Sequence, residues 1–155
     1  MTPVVLDNIV FAIQRFGGIS TVWGELLRRA CTDKDLALHI LDYPNDNMVR
    51  KELLVPSEQI ITVPYRRAGR YRMPDWQPTT PTVFYSSYFR YCSHPLAKNI
   101  TTVHDLTYHY YRHGLAKAVH VWEEQRALRH SEAVICVSEN TKRDLLSIYP
   151  WLEEE

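Results

Sequence analysis

The chain has 155 residues, enough for one domain of ordinary size, and 45% of them are apolar, so a packed core is affordable and lasting disorder is excluded. Lysine plus arginine and aspartate plus glutamate number 18 each, so no global charge draws the chain to nucleic acid or anionic lipid, and any basic site must be local. Cys31, Cys92 and Cys136 have no metal-type spacing, and with no leader pattern and no apolar run near the roughly 20 residues of a spanning helix, the expectation is a soluble cytoplasmic chain.

The elements follow in order. Val4-Val5-Leu6 reads as a buried strand that ends in a polar turn at Asp7-Asn8. Ile9 to Phe16 fits either a loop or a continued strand. After Gly17 and Gly18, the apolar positions Ile19, Val22, Trp23, Leu26, Leu27 and Ala30 recur at helical spacing, with Ser20 or Thr21 as the cap. Leu36 to Tyr43 is a second strand, closed by Pro44-Asn45-Asp46-Asn47, and Glu58 to Val63 a third. Tyr65 to Pro81 is irregular, holding Pro74, Pro78, Pro81 and Gly69. Thr82 to Ser87 and Asn99 to Val103 read as strands, the latter stopping at His104-Asp105.

Leu115 to Arg129 reads as a long helix with Leu115, Val119 and Trp122 on one face. Ala133 to Val137 reads as a buried strand with Cys136 a buried free thiol. Ser138 caps the next helix, Glu139 to Ile148, and Pro150 breaks it. This alternation predicts an α/β domain: a Rossmann-like, open, mainly parallel sheet with helices on both faces. In such sheets ligands gather at the carboxyl ends of the strands, where Asp7, Asn8, Ser86, Ser87, His104, Asp105 and Ser138 fall.

Gly17-Gly18 stands before a helix N-terminus, whose free N–H groups and partial positive charge attract phosphate. Glycine there serves close approach of a ligand or simply a turn of good geometry. The stretch is neither a P-loop nor the GxGxxG of a dinucleotide site. Tyr65-Arg66-Arg67-Ala68-Gly69-Arg70-Tyr71-Arg72 is the one basic cluster, either a phosphate grip or a solvated loop. No recognised nucleic-acid module accompanies it. His109 and His113 share an i, i+4 spacing, but no third ligand stands near, and no metal site is expected.

FGGISTVWGELLRRA resembles the first glycine turn and helix of retaining glycosyltransferases with the GT-B fold, the large family-4, group-1 type that includes sucrose synthase and bacterial mannosyltransferases. TTVHDLTYHYY, from Thr101, resembles that family's VHD segment, and AVICVSENTKRDLLSIYP, from Ala133, its strand–Ser–helix segment. VFYSSYF, from Val83, matches in style, and the order and spacing fit across nearly the whole chain.

The resemblance implies one half of a two-domain enzyme: a single N-terminal, acceptor-side domain over residues 1–155, with the nucleotide-sugar domain and its E-x7-E segment beyond it. It implies His104 beside the transferred sugar, Gly17, Gly18 and Ser138 toward the donor, and Asp7, Asn8, Ser87, Asp105, Arg66 and Arg67 toward the acceptor. The implied substrates are a nucleotide-sugar and a glycan or lipid-linked acceptor, with retention, no cofactor and no metal. Capping by Ser138 and Asp105 is the competing role for those two. The resemblance further implies contact with the inner membrane face, homodimerisation through an exposed cleft face, and weak or undetectable transfer by this half alone. The alternatives are a non-catalytic binding module, one chain of a two-chain enzyme, or an unrelated nucleotide-binding regulator.

Overall fold

In the computed structural model, which describes residues 2–65, 69–72, 74 and 76–153, the chain alternates strand and helix nearly throughout. The strands are β1 (Val4–Asp7), β2 (Leu38–Asp42), β3 (Ile60–Thr62), β4 (Thr82–Ser86), β5 (Ala97–Val103) and β6 (Ser131–Cys136). The helices are α1 (Ile9–Ile13), α2 (Gly18–Ala30), α3 (Met48–Glu52), α4 (Thr107–Tyr111), α5 (Gly114–Arg129) and α6 (Glu139–Ile148). The six strands form one sheet in the order β3-β2-β1-β4-β5-β6, and every pairing is parallel. This is the doubly wound order of Rossmann-type sheets, which reverses direction between β1 and β4 and opens a crevice there.

Register sorts the side chains onto two faces. Leu6 pairs with Ile40 and Tyr85, and these pack against Trp23 and Leu27 of α2. Val5 pairs with Phe84, which belongs to the opposite core with Leu41, Tyr43 and Cys92. Farther along that face, Val103 and its partner Cys136 meet Leu128 of α5 and Leu145 of α6. Helices therefore cover both faces, as the alternation predicts.

Three sequence expectations are corrected. Ile9 to Ile13 is a helix rather than loop or strand. Ile9, Val10 and Phe11 are all buried between the two cores, and burial overrides the weak helix propensity of β-branched residues. The run Ala133 to Val137 is not a buried strand. β6 is a sheet edge, where Val134 and Cys136 turn toward the helices while Ile135 and Val137 stay exposed, and the Cys136 thiol is half-buried.

The third correction concerns α5. Leu115, Val119 and Trp122 do share a face, but it points to solvent; the inward face carries Glu123, Glu124, Ala127 and Leu128. The inversion holds because the carboxylates find partners inside. Glu124 Oε1 accepts hydrogen bonds from the Tyr149 hydroxyl at 2.8 Å and meets His109 Nε2 at 2.7 Å, while Glu123 Oε2 meets Arg70 at 3.2 Å. Buried charge is tolerated where it is paired in this way.

Candidate functional site

At the carboxyl ends of β1, β4 and β5 the chain leaves a cleft of about 230 Å³. Gln14 and Ile19 line it on the side of α2, Thr102 and His104 at the end of β5, and Tyr108 and His120 opposite. Ser87, Tyr88 and Asp105 complete its polar wall. The lining is mainly aromatic and aliphatic, with a few hydroxyl and amide groups and one carboxylate, a surface suited to a sugar-like ligand that presents both apolar faces and hydroxyls.

The entrance to α2 differs from the expectation at its cap. Neither glycine adopts a left-handed backbone: Gly17 is extended, at φ 168 and ψ 170, a conformation open to any residue. A Cβ on Gly17 would sit 2.8 Å from Gln14 Oε1, whereas a Cβ on Gly18 would meet nothing within 4 Å. A side chain at position 17 would thus have to displace the end of the flexible Gln14 side chain, and the space in front of Gly18 is open. Nor do Ser20 and Thr21 cap the helix: both hydroxyls donate back to the Gly17 carbonyl, at 2.9 and 3.1 Å. Gly17 is the cap residue and supplies no side-chain acceptor, so among the described residues nothing caps the first N–H groups of α2, which can face an anion.

His104 follows Val103, the last residue of β5. Its ring has no hydrogen-bond partner among the described residues. Burial pushes its imidazole below the ordinary 6.5, an effect that the neighbouring Asp105 only partly opposes. The ring is therefore neutral at pH 7, with one nitrogen to donate and one to accept. Asp105 accepts the Thr107 N–H at 2.9 Å and so starts α4, the structural role foreseen beside its acceptor role; it also lines the cleft.

Four expected site residues are committed elsewhere. The Asp7 carboxylate is fully buried, accepting from Tyr43, Ser86 and Arg90. Asn8, also fully buried, accepts the Trp23 indole N–H at 2.7 Å and donates to Asp42 at 3.3 Å. Neither side chain is open to an acceptor; both instead fix the end of β1. Ser87 lines the cleft, but its hydroxyl donates to the Asp7 carbonyl at 2.7 Å and accepts the Val10 N–H at 2.9 Å. Ser138 accepts the Thr141 N–H at 3.1 Å as the cap of α6, and it borders a separate groove along β6 and α6 rather than the His104 cleft. Arg66 and Arg67 lie outside the described residues. Arg70, from the same basic run, turns inward to Glu123 and to the Tyr88 hydroxyl at 3.0 Å.

Of the cleft lining, Gln14, Tyr88, Thr102, Tyr108 and His120 were not singled out by the sequence reading, and His120 is the half-buried histidine among them. It stacks on Tyr108 with ring centroids 3.8 Å apart and stands edge-on to Phe89. Its signal was present: His120, Glu123, Glu124, Ala127 and Leu128 follow i, i+3, i+4, i+7 and i+8, the spacing of an inward face. Burial, reinforced by Arg70, lowers the His120 pKa to about 4. An unfolded chain takes up that proton near 6.5, so His120 removes stability as pH falls from 6.5 toward 4, by on the order of 2–3 kcal/mol. His120→Phe, which keeps the stack, should escape that loss. Glu123 and Glu124, whose pKa values burial raises, carry the opposite sign but are common to both proteins. Urea unfolding of the two at pH 7 and near pH 4.5 checks this, and parallel pH profiles would refute it.

Among the described residues no group of three or more His, Cys, Asp or Glu is placed to hold a metal, and no helix is long and apolar enough to cross a membrane. Comparison with curated proteins and with solved structures returned no match. The sequence model of Glycosyltransferase Family 4 matches residues 16–153, a span that runs from the residue before Gly17 to beyond α6 and includes the whole cleft side of β5. A parallel sheet of this order, with the matched span laying the glycine turn, His104 and the Ser138-capped helix along it, makes the conclusion direct: the chain belongs to Glycosyltransferase Family 4.

Proposed function

We propose that this domain is the acceptor-side half of a retaining glycosyltransferase that moves a hexose from a nucleotide-sugar to a glycan or lipid-linked acceptor. One observation carries the reading most: the N-terminus of α2, which no side chain caps, and the neutral ring of His104 flank the same charge-poor cleft. The free N–H groups there would meet the donor diphosphate, whose negative charge a helix N-terminus favours. Open space in front of Gly18 would let that group approach the backbone. His104 would hydrogen-bond the transferred sugar or the charge that develops on it. Tyr88, Tyr108 and Phe89 line the cleft with aromatic rings beside which an acceptor sugar would pack. The chemistry needs no resident cofactor, since the leaving diphosphate itself can take the acceptor's proton in a front-face transfer.

In this reading most donor contacts belong to a second half, so the present chain binds nucleotide-sugars weakly and turns them over slowly or not at all. The test is a titration of the isotope-labelled chain with uridine- and guanosine-diphosphate hexoses, followed by amide NMR. Saturable shifts at Gly17, Gly18, Ile19 and His104, with millimolar affinity, are expected. Shifts that gather instead around Ser138 and Lys142, or none at the α2 entrance at tens of millimolar, would overturn the assignment.

A further inference from the structure

β6 has the sequence of an interior strand in the position of an edge. Parallel strands covered on both faces read as continuous apolar runs, and Ala133 to Val137 is such a run. Yet β6 stands last in the sheet order, and among the described residues no strand pairs with its outer side. Edge strands are ordinarily blunted by lysine, proline or an inward charge. From Ser131 to Val137 the only charge is Glu132, near the beginning.

One bond defines which backbone groups are open. The Val137 N–H donates to the Val103 carbonyl at 3.3 Å. Successive residues of a strand turn their backbone groups to opposite sides, so Ile135 and Val137 serve β5, while Val134 and Cys136 direct N–H and C=O outward. These two residues, with Leu145, Leu146 and Leu152, also line the groove of about 360 Å³ beside α6. On the other face of the sheet Ile135 is 44% and Val137 50% exposed.

We infer that β6 pairs antiparallel with β6 of a second copy, continuing the sheet across a two-fold axis at Ile135. Open backbone groups call for an extended chain, and this strand is complementary to itself. With Ile135 opposite Ile135, Val134 exchanges both its hydrogen bonds with Cys136 of the second copy, and Cys136 does the same with Val134. Ala133 then faces Val137, so every pair on the open face is apolar, and the Val134 and Cys136 side chains of each copy fill the groove of the other. The ends match in charge. Ser138 is still extended, at φ −156 and ψ 161, and the same register sets Glu132 opposite it, at the N-terminus of the second copy's α6 and one turn from Lys142. Glu139 is the like charge there, and Lys98, 2.8 Å from Glu132, is a second cation. The groove shares no residue with the His104 cleft, so the pairing is independent of the transferase reading.

The test is sedimentation equilibrium of the 155-residue chain over a concentration series, with amide hydrogen exchange followed by NMR at both ends of the series. A monomer–dimer equilibrium is expected, in which the Val134 and Cys136 amides slow with concentration far more than that of Val137, already bonded to Val103. Ile135→Lys sets like charges opposite one another and should weaken the dimer about tenfold. The side chain is exposed, so circular dichroism should stay unchanged. Directly opposed residues of a non-hydrogen-bonded pair have Cα atoms about 4.5 Å apart, within the range of a disulfide. In a Cys31→Ser background, Ile135→Cys should therefore cross-link the dimer under mild oxidation, and Val137→Cys, opposite Ala133, should not. A dimer indifferent to Ile135→Lys, or cross-linked through position 137 and not 135, would overturn the inference. So would a monomer at every concentration whose Val134 and Cys136 amides exchange freely, which would leave the edge to a strand of another protein. Neither measurement involves a nucleotide-sugar, so this reading and the transferase reading can fail separately.

Discussion

Replacing Arg90 by alanine is expected to lower the unfolding free energy of this chain by about 3–5 kcal/mol at pH 7. The side chains of Arg90 and Asp7 are 4% and 0% exposed, with Nη1 3.1 Å from Oδ2. The Tyr43 hydroxyl donates to Oδ1 at 2.7 Å, the Ser86 hydroxyl to Oδ2 at 2.8 Å, and Nη1 donates to the Tyr43 oxygen at 3.0 Å. Burial and the adjacent carboxylate push the Tyr43 phenol well above its usual range, so it remains a donor. Without Arg90 the carboxylate stays locked in the sheet with two hydroxyls and no countercharge. The cost is then that of a buried unpaired ion, far beyond that of a lost surface pair. The double variant Asp7→Asn with Arg90→Met removes both charges and should lose clearly less. Urea unfolding of the three proteins measures this. A loss under about 1 kcal/mol for Arg90→Ala would mean that water reaches Asp7 and the network is not closed.

The same network shows what could be read from the sequence and what could not. The parallel sheet was legible because each strand and helix announces itself within a few residues: an apolar run, a polar stop, a capping serine. Ser138 and Thr141 stand three apart, and their capping bond needed no distant partner. Asp7, by contrast, looked like a strand-end ligand because its partner Arg90 lies 83 residues away. Nothing local distinguishes a carboxylate aimed at a substrate from one aimed at a buried arginine. α5 misled for a similar reason. Leu115, Val119 and Trp122 have core spacing, and only Arg70, His109 and Tyr149, from three other segments, make the glutamate face the inner one. The edge position of β6 was hidden too, since an apolar run says that a strand is stable without saying how many neighbours it has. His104 and the glycine turn were legible through the resemblance, whereas the packing of Gln14 against Gly17 and the stack of His120 on Tyr108 required the fold.

In a polypeptide that joins this domain to a donor-binding half, His104→Ala is expected to lower kcat roughly 100- to 1000-fold, the cost of losing one well-placed donor to a developing charge. The ring ends β5, lines the cleft and has no hydrogen-bond partner among the described residues, so its removal breaks no bond of the fold described here. The stability change should accordingly stay within about 1 kcal/mol, which separates a role in transfer from a role in folding. The pH profile carries a second signature. Burial lowers the His104 pKa below 6.5, so the neutral ring persists into mild acid. Activity that depends on that neutral form should hold level as pH drops through 6.5 and fall only below it, and His104→Gln should abolish this acid limb while retaining part of the rate. Steady-state kinetics from pH 5 to 8 on the three proteins decide the matter. An unchanged kcat in His104→Ala, or a loss matched by unfolding, would remove His104 from the chemistry. The cleft would then owe its character to the α2 entrance alone, and the proton of the acceptor would have to leave without help from this ring.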